Sequence, residues 1–251
     1  MDLRAHLEST RLAGAVATTP GSTVENCGRL VAGDERYTFG LTDWRTASLD
    51  EAVEAVRRVC GGDPAGAPAG SPGCIDLDAT LGGIERHRRA LAAAAGGGAA
   101  RVLLATGHPT GLLAHYGAIG RALQAHGCHL LAPLDDRMLW PADDGRPRGV
   151  RFIDGVAAVT DGGKLLHTHR SRYMEAMLDA LDGRADLVVA DHGMAGAAIE
   201  RGIATLSIAD VNDPALLLAQ SRGRTADVLV IDDNLAPRVF VPVTRAMLDW
   251  R

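Results

Sequence analysis

The chain has 251 residues, 47% hydrophobic and 4% aromatic, with a formal net charge of −5. That length buries a large core, as one big domain or as a main domain with a smaller addition. The acidic balance without a basic block argues against a nucleic-acid partner, and no apolar run reaches the roughly 18 residues of a membrane span.

The first stretch, MDLRAHLESTRLAG, carries charges throughout and has no apolar signal core, so the expected compartment is the cytoplasm. Val24 to Leu30 and Tyr37 to Leu41 read as short strands around the turn at Ala32-Gly33-Asp34-Glu35. Ser48 then caps a helix, with Glu51 three positions on; Ala52, Val53, Val56 and Val59 give it an apolar side, and Gly61-Gly62 stops it. Residues 62–73, GDPAGAPAGSPG, lack any periodicity and read as a flexible linker. This divides the chain into an α+β N-terminal portion, 1–73, and an α/β catalytic domain, 74–251. The four cysteines, Cys27, Cys60, Cys74 and Cys128, lack C-x-x-C spacing and read as reduced, buried thiols.

Asp78 or Thr80 is expected to cap a helix from Leu81 to Ala95. Its basic side, Arg86, His87, Arg88 and Arg89, reads as a solvated face; the alternative is that Arg86 or Arg89 reaches an anionic substrate. The rest of the chain is organised around Arg101 to Leu123, RVLLATGHPTGLLAHYGAIGRAL. Val102 to Ala105 form a buried strand, Thr106 to Gly111 a glycine turn, and Leu112 onward an amphipathic helix. Such a turn offers free N–H groups to an anion, here with His108 beside them, and Thr106, Gly107, Thr110 and Gly111 are its candidate binding residues. Cys128 to Pro133 reads as the next parallel strand, and 135–149 as a polar loop. Short strands are expected at Val150 to Ile153, Gly155 to Thr160 and Lys164 to His167, then a helix over Ser171 to Leu181. His167 and His169 alternate by two, so in a strand they share a side.

The last third is strongly periodic. Buried strands over Asp186 to Ala190, Ala204 to Ala209 and Asp227 to Ile231 alternate with helices over Ala197 to Arg201, Ala215 to Ser221 and Val243 to Trp250. The turn Asp191 to Gly196 comes directly after the first of these strands. Strands alternating with helices predict a mostly parallel, Rossmann-like sheet covered on both faces.

His108, Asp191-His192, Asp210 with Asn212-Asp213, and Asp232-Asp233-Asn234 each come directly after an apolar strand. In a parallel sheet such positions share one edge and form one crevice. Clustered carboxylates repel unless a cation neutralises them, so Asp191, Asp210, Asp213 and Asp233 are the candidate ligands of magnesium or manganese. On that reading, changing Asp210 or Asp233 to Asn leaves the metal-free chain no less stable. His108, His192 and Asp191 are the candidate catalytic residues; Gly193, His167, Asn212 and Asn234 join the substrate-binding set. A small phosphorylated substrate fits these groups, and a homodimer is left open. No Walker A sequence, no G-x-G-x-x-G after a strand and no G-x-S-x-G elbow is present, which argues against P-loop hydrolysis, a dinucleotide cofactor and an esterase.

The segments ATGHPTGLL (105–113), DLVVADHGMAGAAIERGI (186–203), ADVNDPALLLAQ (209–220) and IDDNLAPRVFVPVT (231–244) resemble a family of actinobacterial phosphatases. The resemblance covers about residues 74–250 and implies a phosphomonoesterase of α/β fold. It carries no residue role with it. A lyase or cyclase acting on a small carboxylate, and a non-catalytic protein that holds a phosphorylated metabolite, are the alternatives.

Overall fold

A computed structural model describes residues 2–141 and 145–250. Asp2 caps α1 (Leu3–Ser9), and β1 (Gly14–Val16) comes after it. Here the fold departs from expectation. Val24 to Leu30 lie not in a strand but in α2 (Pro20–Val31), whose start is marked by Thr19 accepting the Ser22 N–H and by Pro20 in the first turn. Tyr37 to Leu41 likewise give no strand: Tyr37 lies in α3 (Glu35–Thr38), capped by Asp34. The Ser48-capped helix is α4 (Leu49–Cys60), and it ends on Gly61 in the left-handed conformation. The Gly/Pro-rich stretch 62–73 returns the chain to β2 (Gly73–Ile75), which pairs antiparallel with β1.

Asp76, rather than Asp78 or Thr80, caps α5 (Leu77–Gly97). Its basic side is tied down within the protein. Arg88 and Arg89 pair with Glu85, His87 is buried against the Asp227 carbonyl, and Arg86 donates to the Val228 carbonyl. Of the cysteines, Cys27, Cys60 and Cys128 are buried free thiols, while Cys74 is exposed on its strand.

β3 (Arg101–Thr106) and α6 (Pro109–Ala125) form the organising strand and helix. The strand expected at Cys128 to Pro133 shrinks to β4 (His129–Leu130). The loop expected at 135–149 instead carries one arm of a hairpin, β5 (Arg137–Pro141) with β6 (Pro147–Ile153); its residues 142–144 lie outside the described ones. Next are β7 (Val156–Thr160) and β8 (Leu165–Leu166), then an irregular segment with His167 and His169, then α7 (Arg172–Ala180). The end of the chain runs β9 (Leu187–Asp191), α8 (His192–Glu200), β10 (Thr205–Ala209), α9 (Pro214–Ser221), β11 (Val228–Val230) and α10 (Val241–Met247).

The central sheet is mixed, in the order β11-β10-β9-β3-β7-β6-β5, with β4 paired to β3 and β8 to β7. The run β11 to β7 is parallel, and the β5–β6–β7 end is antiparallel. Every residue of β7, β9, β10 and β11 is buried, which requires cover on both faces of the sheet. α5, α6 and α10 pack together as one helical group, and α7, α8, α9 and α4 as another. One hydrophobic core takes side chains from both sides of residue 73, Leu7, Leu12 and Val56 as well as Leu103, Val188 and Leu217. The fold is thus α/β, with helices around a largely parallel sheet. Among the described residues no helix is long and apolar enough to cross a membrane.

Candidate active site

Because β3, β9, β10 and β11 are parallel neighbours, their carboxyl ends share one edge. A cleft of about 410 Å³ opens there, lined by His108, His167, His169, His192, Asp210, Asn212, Asp213, Asp233 and Asn234. The chain passes from β9 into α8 without an intervening loop. His192 therefore sits at the first helical position with φ of 46°, a left-handed conformation that costs energy in a non-glycine residue. The glycines read as a turn, Gly193 and Gly196, belong to the helix itself. A Cβ on Gly193 would strike the backbone of residues 169–171, and one on Gly196 would strike the Phe39 carbonyl. Glycine lets α8 press against the segment that carries His169.

Asp191 does not line the cleft. It is fully buried, its Oδ1 accepts the Gly107 N–H (2.8 Å), and its Oδ2 accepts the Thr106 hydroxyl (3.2 Å). Its Oδ2 also lies 3.2 Å from His192 Nδ1, which makes no hydrogen bond in acceptable geometry, so that contact is electrostatic. The anion pocket expected around residues 107–111 does not form. The Gly107 N–H is committed to Asp191, the His108 N–H to Thr106 Oγ1 and the Gly111 N–H to the His108 carbonyl. Thr110 is exposed, and Thr106, Gly107, Gly111 and Gly193 are buried and do not line the cleft. A Cβ on Gly111 would come within 2.7 Å of the Asp233 carbonyl, so this glycine sets how closely the loop after β11 approaches α6.

One carboxylate oxygen faces two imidazoles at the cleft floor. Asp233 Oδ2 lies 3.6 Å from His108 Nδ1 and 3.5 Å from His192 Nε2. Asp233 Oδ2 and His108 Nδ1 are buried without a hydrogen-bond partner. The His167 ring stacks on His108 at 4.7 Å, and His108, His167 and His192 each offer a ring nitrogen within 4.8 Å of the others. Asp191, His192 and Asp233 form an overlapping group of the same size. His167 and His169 are not in a strand, yet both reach the cleft, and the His169 ring stacks on His192 at 4.6 Å.

The electrostatics are set by burial and crowding. Burial pulls the His192 imidazolium down, but the carboxylates of Asp213, Asp191 and Asp233 reverse this and raise it to about 10. Burial drives Asp213 up to about 7, against the opposing pull of His192. Asp210 is raised well above the carboxylate range by burial and by Asp233, Asp232 and Asp213. Asp233 goes the other way: burial would raise it, but His108, His192 and His167 hold it low. Asp210 is also hydrogen-bonded, accepting the Thr18 hydroxyl (2.5 Å) and the Val211 N–H (2.7 Å). Asp213 Oδ2 accepts the Asp210 N–H (2.9 Å).

The N-terminal portion builds the opposite wall, which sequence reasoning missed. Thr18, Ser22, Asn26 and Tyr37 line the cleft, and the Asn26 side-chain amide donates to the Asn212 carbonyl (2.9 Å). The usable signal was the Thr19-Pro20 helix start, which places Ser22 and Asn26 one turn apart on the same face.

The family described as Phosphatase matches residues 1–250. Phosphatase SCO2771 of Streptomyces coelicolor is 36% identical over 255 residues, an alignment covering 98% of this chain and 94% of that relative. No solved structure matches the chain.

Proposed function

The chain belongs to the phosphatase family that it matches from end to end, and from that premise we propose a phosphoric monoester hydrolase whose cleft takes a small phosphorylated metabolite with the help of a divalent cation. The observation that supports this reading is Asp233 Oδ2 lying 3.6 Å from His108 Nδ1 and 3.5 Å from His192 Nε2, with Asp233 Oδ2 and His108 Nδ1 buried without any partner. A buried polar atom without a partner is costly, and a cation would use all three lone pairs. His108, His192 and Asp233 would hold it, with His167 beside them. Imidazole nitrogens suit zinc, iron or nickel, a carboxylate oxygen suits manganese, and magnesium prefers oxygen donors throughout. When bound, the cation would polarise a phosphoryl oxygen and acidify water.

The remaining roles belong to the chain. Asp191, with both oxygens occupied by Thr106 and Gly107, fixes the turn at Gly107 and sets a counter-charge beside His192 Nδ1. The His169 Nδ1–H donates to the Arg36 carbonyl (3.1 Å), an oxygen that can only accept, and burial beside His192 lowers the imidazole to about 3, so its Nε2 stays unprotonated and can accept a hydrogen bond that orients the attacking water. Asp210 and Asp213 hold the loop after β10. Ser22, Tyr37, Asn212 and Asn234 offer hydroxyl and amide groups to the rest of the metabolite. A ligand crevice at the carboxyl ends of parallel strands is the placement that a Rossmann-like reading requires.

The test is phosphate release from glycerol 1-phosphate, glucose 6-phosphate and phosphoglycolate after chelation and after return of manganese, zinc or magnesium. Chelation should abolish release, and manganese or zinc should restore it better than magnesium. Full activity in a chelator, with no metal left in the protein, overturns the metal-assisted reading.

A further inference from the structure

A second cavity, of about 210 Å³, lies behind the catalytic cleft, and the two share His167 as a wall. Its lining includes Arg148, Arg170, Arg172 and Thr168, with no acidic side chain among the lining residues. Arg170 is paired with Glu35 at 2.8 Å. Arg172 is held differently. Its guanidinium lies 5.1 Å from the ring centroids of both Trp140 and Tyr173, which themselves meet edge to face at 5.4 Å. Its hydrogen bond goes to Tyr173 Oη (3.2 Å), its Nε is buried without a partner, and among the described residues no carboxylate pairs with it. Two aromatic rings thus fix the position of a planar cation and leave most of its donors unspent. Such a fork matches the oxygens of a phosphate or carboxylate.

We propose that this arginine cavity is a second anion subsite, and that the substrate carries a second phosphate group beyond the one hydrolysed in the cleft. The inference rests on the phosphatase reading for the identity of the first group. The shared wall carries it: a metabolite whose scissile phosphate lies beside His108 passes the exposed edge of His167 and meets Arg172 next. Bisphosphorylated small molecules are the class with that shape and charge. Monophosphates of neutral polyols would bind through the cleft alone.

The test uses phosphonates, whose C–P bond is not hydrolysed, so that binding is read apart from turnover. Affinities of the full chain for propylphosphonate and for straight-chain bisphosphonates with two to six methylenes are measured by calorimetry. At least one bisphosphonate should bind about tenfold or more tightly than propylphosphonate, the scale of one charge-assisted hydrogen bond. In Arg172→Met that ratio should fall towards one, and Arg172→Lys should retain part of it. Arg170→Met serves as a second probe should R172M fail to fold, and it should also lower the ratio. A ratio near one in the wild type at every length overturns the subsite, as does a ratio that R172M leaves intact. So does a loss in R172M confined to inorganic phosphate, which would make the cavity a site for the free ion. Absence of phosphate release from monophosphates and bisphosphates alike would instead overturn the phosphatase reading, a result distinguishable from all of these.

Discussion

Asp233 and Asp210 carry the same side chain into one cleft, yet their surroundings make them opposites. Asp233 is ionised between two imidazoles, with one oxygen left for a ligand. Asp210 is buried among other carboxylates, its oxygens engaged by Thr18 and Val211. The sequence-based expectation that either change to Asn spares the metal-free chain therefore divides. Asp210→Asn should shift stability by less than about 1 kcal/mol, because an amide keeps the Val211 bond, donates to the Thr18 hydroxyl and replaces a side chain that burial already holds towards its neutral form. Asp233→Asn should cost about 1–3 kcal/mol in the metal-free chain, since His192 loses one of its counter-charges, and should empty the protein of bound metal. Urea unfolding in chelator, with elemental analysis of the purified variants, separates the two. Equal costs would mean that Asp233 plays no special part. His108→Ala should lower turnover by at least about a hundredfold and reduce metal content with it. Unchanged turnover in a folded H108A protein would move His108 out of the site.

At the scale of elements, the strands that build the site were legible because each is a continuous apolar run ending in Asp or His. Val188 to Ala190, Leu206 to Ala209 and Val228 to Val230 are buried on both sides, and runs this short, nearly all apolar and bounded by polar turns, fit a covered strand better than a helix. Two things were not legible. Residues 191–196 read as a turn because two glycines break a local pattern, whereas here glycine answers a contact with residues far away in the chain. The N-terminal wall was lost because Val24 to Leu30 look strand-like in isolation, and because the hydrogen bonds from Thr18 and Asn26 to residues 210 and 212 are long-range. The first point is testable. Gly193→Ala places a methyl against the backbone of residues 169–171, and neither side is a flexible side-chain end that can yield. The clash should outweigh the helix-propensity gain of up to ~1 kcal/mol, lowering stability by about 2 kcal/mol and impairing turnover by displacing His169. Gly96→Ala in α5 is the control, since a Cβ there meets nothing within 4 Å. It should raise stability by about 0.5–1 kcal/mol with activity unchanged. A G193A protein as stable and active as wild type would show that the 169–171 segment tolerates movement.

For the molecule as a whole, the cleft without a cation is a store of protons, and this links stability to pH. His192, raised from 6.5 to about 10, adds stability that is full below about pH 6.5 and is lost as pH rises through 10. Asp213, raised from 3.8 to about 7, favours the fold while protonated, and that contribution disappears between pH 4 and 7. Asp210, also raised, acts in the same direction. Asp233, held low, contributes above its ordinary range, and that part is lost only under acid conditions. Between pH 6 and 9.5 these groups together should make the melting temperature of the metal-free chain fall, and His192→Asn should flatten the slope. A cation held by His108, His192 and Asp233 requires unprotonated imidazoles, so its binding expels the proton that His192 keeps when no metal is bound. The melting-temperature gain from added manganese should therefore be small at pH 6 and grow towards pH 9. Calorimetric binding enthalpies should also vary with the ionisation enthalpy of the buffer. A gain that does not change with pH, in buffers that give identical enthalpies, would mean that no proton leaves on binding, and would place the cation away from His192.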